Sequence, residues 1–344
     1  MTQPNKMPDA ELTALRNELM AKPFLTDDLL AVEDAIARRH QALLHVKDTR
    51  KPWSGENRAP VKALVVVGAF RYGKSCAVEN GISRLKELET PSGPLLPRPL
   101  SINAPEHFTI EAFGRSVLGR LKLTPARALG PSMTIERMHS RIIRNKPTLL
   151  HIDEAQRMLT PERVAQHRRE EEQVKIFGQL RALIDLDEWP LPVVLSGTPE
   201  LARALERDNL GFFRDVAEII AIAPMRVGNQ TDQDDLEDAL AAAAEKVGMT
   251  VDVAVDQFYD RLIHAANRAR GLAFDICHEA ILLAASAGRK SVTVEDFIAF
   301  YARKAGALRA ANPFAAADWH RIDPKVLLAA MSGEKVPRIW EVKS

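Results

Sequence analysis

The feature that most constrains the fold of this 344-residue chain is an eight-residue segment, 68–75, that matches the pattern G-x-x-x-x-G-K-[ST]. It follows a short apolar run of mostly β-branched residues, 63–67, and a helix is predicted from residue 74 to about residue 88. Glycines let such a loop turn tightly, so that successive backbone N–H groups point at phosphate oxygens. The segment therefore predicts a phosphate-binding loop at the end of a buried strand.

Each residue type in this loop suits a bound nucleotide. Lys74 would reach the β- and γ-phosphates, and the hydroxyl of Ser75 would bind Mg²⁺. ATP and Mg²⁺ are the expected cofactors. An ordinary glycine turn is the alternative interpretation, but the flanking strand and helix argue against it. The predicted nucleotide-binding residues are Gly68, Ala69, Phe70, Arg71, Tyr72, Gly73, Lys74, Ser75 and Cys76.

Two adjacent acids, Asp153 and Glu154, end another apolar run that begins at Leu149. Asp153 would hold Mg²⁺ together with Ser75, and Glu154 would polarise a water molecule for attack on the γ-phosphate. A solvated turn is the alternative for such a pair. Because the pair supplies a base for water, it favours hydrolysis over phosphate transfer to another substrate.

A third apolar run, 192–196, is also followed by polar residues. In open α/β sheets, ligands bind at the carboxyl ends of the strands. Thr198, with Ser196 as the second choice, is therefore a candidate to contact the γ-phosphate or the attacking water. The alternative is a turn that caps the next helix.

The whole chain shows a change of pattern near residues 226–230. Before it, short strand-like runs alternate with helical segments, which predicts parallel βαβ units. After it, the segments look helical and no strand run stands out. The predicted fold class is α/β, with a parallel sheet flanked by helices and an all-helical C-terminal region. The predicted parts are a helical extension (1–50), an α/β nucleotide-binding core (51–226), a helical lid (227–304) and a C-terminal tail (305–344).

The formal net charge of +1, from 47 basic and 46 acidic residues, conceals an uneven distribution. Residues 114–146 contain eight bases and one acid, whereas residues 231–260 contain nine acids and one base. Such asymmetry indicates either nucleic-acid binding or two solvated helix faces. The apolar runs are too short for a membrane span, and two cysteines cannot form a disulfide framework, so a cytoplasmic location is expected.

The segments GAFRYGKS, LLHIDEAQ and VVLSGTPE, followed by a helical region, resemble those of AAA+ ATPases. Their order and spacing resemble more narrowly the TniB/TnsC group of transposition regulators, which are relatives of MuB. The sequence Asn312-Pro-Phe near the C-terminus is similar to one found in that group. The resemblance covers roughly residues 25–315 and implies an AAA+ P-loop core with a C-terminal helical lid.

The resemblance also implies an assembly, because AAA+ proteins form rings or filaments in which a basic residue completes the ATP site of a neighbour. Arg214 is the candidate for that residue and Arg207 the second choice, with a surface role as the alternative. Many lids of the family carry an arginine where this chain has Phe274. Arg268 and Arg270 are the candidates to replace it.

In the resembled group the assembly encircles duplex DNA, and the core domain contacts its backbone. The matching residues here are Arg115, Arg120, Lys122 and Arg127, in the basic segment. Aromatic residues are not interleaved with these bases, which favours duplex over single-stranded DNA. The implied function is ATP-dependent regulation of transposition in a bacterial cytoplasm. The implied partners are a transposase, a target-selection factor and further copies of the chain, without a membrane.

Three other functions remain open from the sequence. One is a P-loop ATPase of the DEAQ type that is linked to signalling or secretion and does not bind DNA. Another is a small-molecule kinase, although the Asp153–Glu154 pair and the helical lid argue against it. The last is a nucleotide-gated scaffold with little hydrolysis, a possibility that the missing lid arginine keeps open.

Overall fold

A computed structural model describes residues 7–20, 24, 26–123, 130–159, 166–206 and 217–332. By contacts between residues the chain forms two compact units. The α/β unit comprises Asp27–Ala69 and Lys74–Ile222, and the helical unit comprises Met1–Thr26, Phe70–Gly73 and Ala223–Ser344. The four-part division predicted from the sequence stays a prediction.

The α/β unit is built on a five-stranded parallel sheet, which confirms the predicted fold class. The strand order is β4-β5-β6-β1-β7. A separate antiparallel hairpin pairs β2 with β3. The strands are β1 (Ala63–Val67), β2 (Leu88–Thr90), β3 (Gly93–Leu95), β4 (Pro99–Asn103), β5 (Leu149–Asp153), β6 (Val193–Gly197) and β7 (Ala217–Ala221).

Helices connect these strands as parallel pairing requires. Thr109 caps α4, since its side-chain oxygen accepts a hydrogen bond from the N–H of Ala112 at 3.1 Å. Helix α5 begins with a proline and ends at Lys146, whose φ of 50° is left-handed. The helices are α2 (Asp27–Gln41), α3 (Lys74–Ser83), α4 (Ile110–Arg120), α5 (Pro131–Asn145), α6 (Gln166–Ile184) and α7 (Pro199–Leu205).

The centre of the sheet is apolar on both faces. Every residue of β1 and β6 is buried, as is the apolar part of β5. β-Branched and aliphatic residues suit such strands because both faces are covered. The register pairs Val67 with Gly197 and Asn103 with Asp153. Because Ile152 also pairs with Leu195, the carboxyl ends of β1, β5 and β6 meet at one edge of the sheet.

The helical unit contains α1 (Asp9–Met20), α8 (Gln230–Lys246), α9 (Phe258–Ala265), α10 (Arg270–Ser286), α11 (Val294–Ala305) and α12 (Lys325–Ser332). It also contains a parallel pair of strands, β8 (Thr250–Asp252) and β9 (Ser291–Thr293), which the sequence did not predict. Three residues are too few to show the alternation that distinguishes a strand.

The segment Asn312-Pro-Phe is anchored in the core of the helical unit. The side-chain amide of Asn312 donates to the carbonyl of Ile298 at 2.9 Å and accepts from the N–H of Phe314 at 3.0 Å. The ring of Phe314 packs against Phe297 and Phe258. A buried asparagine and a buried ring thus fix this segment. Within the described residues, none of the helices combines the length and apolar character needed to cross a bilayer.

Candidate functional site

The glycine loop after β1 has the backbone conformation that its sequence predicts. Gly73 has a φ of +94°, a value that residues with a side chain rarely adopt. The ammonium group of Lys74 donates to the carbonyl of Ala69 at 2.9 Å, so the lysine lies over its own loop. Burial lowers the pKa of Lys74, although Glu154 and Asp153 act in the opposite direction.

The middle of the loop, Phe70–Gly73, groups with the helical unit. There the N–H of Gly271 donates to the carbonyl of Arg71 at 2.9 Å. A Cβ atom at position 271 would lie 2.6 Å from that carbonyl oxygen, so this approach requires glycine. The guanidinium of Arg71 forms an ion pair with Asp275 on α10. Burial raises the pKa of Asp275, and Arg71 counteracts only part of that rise.

The candidates to replace the missing lid arginine differ in their surroundings. Arg270 is buried and bonds Asp232 at 3.1 Å, so its charge is neutralised inside the helical unit. Arg268 is exposed, with a left-handed φ of 61°. Phe274, which stands where the family has arginine, packs edge-on against Phe24. Arg268, rather than Arg270, is therefore the candidate with an exposed side chain.

The carboxylate of Asp153 is the centre of the site in the α/β unit. Its Oδ2 accepts a hydrogen bond from the hydroxyl of Ser75 at 2.7 Å. Its Oδ1 accepts from the hydroxyl of Ser196 at 2.6 Å and from the N–H of Glu154 at 2.9 Å. Burial alone would raise the pKa of Asp153, but these hydrogen bonds outweigh it and hold the pKa below its usual value.

These residues fit a magnesium ion. A serine hydroxyl and an ionised carboxylate are the hard oxygen ligands that Mg²⁺ prefers, and here they already lie in contact. Ser75 and Asp153 would hold the ion, as the sequence predicted. When bound, it would neutralise charge on the phosphate oxygens.

Glu154 is held by a residue that sequence reasoning missed. The amide nitrogen of Gln156 donates to Oε2 of Glu154 at 2.7 Å, and its amide oxygen accepts from the N–H of Thr198 at 3.2 Å. Glu154 itself has a left-handed φ of 55°. A Cβ atom at Gly197 would approach the amide oxygen of Gln156 to 2.7 Å, so a glycine leaves room for this contact. Gln156 thus connects the candidate base to the turn after β6.

His151 is connected to Asp153 through the hydroxyl of Ser196. Its Nε2 lies 2.8 Å from the hydroxyl oxygen of Ser196. Because that hydroxyl donates its proton to Asp153, Nε2 of His151 must be the donor to Ser196. Burial lowers the pKa of His151 to about 4, so the ring is neutral near pH 7. The sequence showed only an isolated histidine without metal-ligand spacing.

The structure places the other predicted residues as follows. Thr198 directly precedes α7, and its hydroxyl bonds Glu200, which lowers the pKa of that carboxyl. On α4, Arg115 is paired with Glu111, whereas Arg120 is exposed, as is Lys122 just beyond it. Arg127, Arg207 and Arg214 lie outside the described residues. The roles predicted for all of these residues stay predictions.

Comparisons with known proteins agree with this geometry. Residues 60–205 match the family model described as an AAA domain. The fold is that of the AAA+ P-loop proteins. The match spans the segment from the start of β1 to the end of α7, and so includes Lys74, Asp153 and Gln156. The chain therefore has the fold of nucleotide-hydrolysing P-loop ATPases.

Three solved structures are similar in fold to this chain. Orc1 from Aeropyrum pernix, solved in complex with DNA, has a TM-score of 0.57 and 18% identity over 86% of this chain and 70% of its own. Cdc6p from Pyrobaculum aerophilum has a TM-score of 0.54 and 13% identity over 85% of this chain and 70% of its own. Drosophila ORC bound to DNA has a TM-score of 0.53 and 16% identity over 90% of this chain and 71% of its own. No curated protein matches the sequence significantly.

Replacing Gly271 tests the contact between the loop and α10. In Gly271→Ala, the new Cβ would meet the carbonyl of Arg71, and the backbone must shift. We expect a loss of about 1–3 kcal/mol in the free energy of unfolding, measured with urea, together with weaker nucleotide binding. The matched control is Gly178→Ala in α6, where the added Cβ has no neighbour within 4 Å. Equal stability of the two variants would contradict the requirement for glycine at 271.

Proposed function

We propose that this chain is an ATP-dependent, DNA-binding AAA+ regulator of DNA transposition. It oligomerises as a ring or filament on duplex DNA and presents that DNA to a transposase, and ATP hydrolysis drives disassembly. The observation that carries the ATPase part is the contact between Ser75 and Asp153, with Glu154 adjacent. The transposition part is supported by the resemblance of the three motifs and their order to the TniB/TnsC group.

DNA binding has two supports. The basic segment 114–146 lies in the α/β unit, and two of the similar structures are described as complexes with DNA. A transposase, a target-selection factor and further copies of the chain are the proposed partners. An ATPase that acts in signalling or secretion without DNA is the alternative, and it shares the same nucleotide site.

Different residues of the chain would bind the phosphates, hold the metal ion and accept the proton during hydrolysis. Lys74 would exchange the carbonyl of Ala69 for phosphate oxygens when nucleotide binds. Ser75 and Asp153 would hold Mg²⁺, and Glu154 would accept the proton of the attacking water. In an assembly, Arg214 of one copy would stabilise the charge on the phosphate in the next.

Glu154→Gln separates nucleotide binding from hydrolysis. The amide keeps the size of the carboxylate but cannot accept a proton, so phosphate release should fall at least about a hundredfold while ATP affinity stays within about twofold. Negative-stain images with duplex DNA should show the assembly persisting with ATP itself. Lys74→Ala is the control, which should neither bind ATP nor assemble. Unchanged phosphate release would remove Glu154 from the proposed role, and the absence of ATP-dependent rings or filaments would contradict assembly on DNA.

Variants of Gln156 test whether it orients Glu154. Gln156→Ala loses both hydrogen bonds, whereas Gln156→Glu keeps an acceptor for Thr198 but no donor for Glu154. If the bond from Gln156 orients Glu154 for catalysis, both variants should lose at least about tenfold in kcat with little change in ATP affinity. Gln173→Ala in α6 is the control, because among the described residues that glutamine bonds the backbone carbonyl of Leu159 and no group of the site. Full kcat in Gln156→Glu would limit Gln156 to holding Thr198.

A further inference from the structure

Helix α5 carries a row of arginines on one face. Arg137, Arg141 and Arg144 are spaced four and three residues apart, so their side chains lie above one another along the helix. Arg98 joins the C-terminal end of this row, because its Nη1 bonds the carbonyl of Asn145 at 3.4 Å. Lys146 follows directly after the helix. We call these five residues the α5 stripe.

The charge of the α5 stripe is not neutralised by neighbours. In the part of the chain that the structure describes, none of the five residues forms an ion pair with a carboxylate. Arg137, Arg144, Arg98 and Lys146 are exposed, and Arg141 is half-buried. On the adjacent helix α4, by contrast, Arg115 bonds Glu111 through Nε at 2.9 Å and Nη2 at 2.6 Å. The available charge of the basic segment therefore lies mainly on α5.

Helix stability explains only part of this arrangement. Cations near a helix C-terminus interact favourably with its dipole, and this accounts for Arg144, Lys146 and Arg98. The effect falls off within the last turn, so it does not account for Arg137, which lies two turns further back. A continuous row of unpaired cations instead matches a partner with regularly repeated negative charge.

The chemistry of the row favours nucleic acid over a protein partner. Protein interfaces have an apolar centre, whereas the exposed face of α5 consists mainly of Arg137, Ser140, Arg141 and Arg144, preceded by Met133 at its N-terminal end. It contains no aromatic residue, so it offers unstacked bases no surface to stack on. The row is about 10 Å long, a length of duplex that carries about six phosphates. Backbone phosphates of duplex DNA are thus the fitting partner.

We propose that the α5 stripe is a contact surface for the phosphate backbone of duplex DNA. This inference rests on the proposed DNA-binding function and names a surface other than the α4 residues predicted from the family resemblance. Binding through it is independent of sequence and strongly dependent on salt, because each phosphate contact releases condensed counterions.

The test compares salt dependence between two sets of variants of the full chain. The first set replaces Arg137, Arg141 and Arg144 with glutamine. The matched control replaces Arg38, Arg50 and Arg203, which are exposed arginines of the same unit paired with carboxylates. Binding to a labelled 30-base-pair duplex is measured by fluorescence anisotropy between 50 and 300 mM salt, with a non-hydrolysable ATP analogue.

We expect the slope of log K against log salt to become shallower by about 2 to 3 in the α5 variant, which is about 0.9 for each lost phosphate contact. The control should keep the wild-type slope. Replacing the same three residues with lysine should restore most of the slope, since lysine also contacts phosphate. Unchanged nucleotide affinity in all variants shows that the fold is intact.

Four outcomes overturn the proposal. If the wild-type chain binds no duplex in any nucleotide state, both the proposed function and this inference fail. If the wild type binds but the α5 variant keeps its slope, while Arg120→Gln with Lys122→Gln reduces it, only this inference fails. Tighter binding to a single strand of the same length contradicts the choice of duplex. Loss of self-association without DNA, measured by sedimentation, shows that the stripe contacts a second copy of the chain instead.

Discussion

The candidate site depends on the carboxylate of Asp153, which lies at the carboxyl end of β5 and accepts hydrogen bonds from Ser75, Ser196 and the adjacent Glu154. The register of the parallel sheet makes this possible, because it aligns the ends of β1, β5 and β6. A buried carboxylate stays ionised only when hydrogen bonds compensate its desolvation. The donors that keep Asp153 ionised therefore also prepare it to bind a cation, and a loss of register would remove both.

Two further polar residues hold the side chains of Ser196 and Glu154 in place. His151 orients Ser196, and Gln156 connects Glu154 to the turn at Thr198. The contacts of His151 with Ser196 and of Gln156 with Thr198 join residues that are close because β5 and β6 are neighbours in the sheet. A site supported in this way keeps its carboxylates oriented before nucleotide arrives, which lowers the reorganisation needed for catalysis.

The innermost residues of the site could be predicted because their types and spacing are chemically restrictive. A lysine and serine after a glycine loop, and two acids after a buried strand, serve few purposes other than binding phosphate and Mg²⁺. Gln156 and His151 were not singled out from the sequence, since neither residue type is specific and their contacts with Thr198 and Ser196 join residues 42 and 45 positions apart. The central strands were predictable from apolar runs, whereas β8 and β9 were too short. The pairing of Arg115 with Glu111 on α4 could not be predicted either, because the sequence shows charge but not pairing.

We propose that the Asp153-centred edge hydrolyses ATP, and that assembly on duplex DNA completes the site with Arg214 of a neighbouring copy. The most direct measurement is the rate of phosphate release as duplex DNA is added to the wild-type chain and to Asp153→Asn. We expect the wild-type rate to change with duplex concentration and to saturate, and the rate of the variant to stay at background with or without DNA. A wild-type rate that does not respond to duplex, or a variant that still hydrolyses ATP, would contradict it.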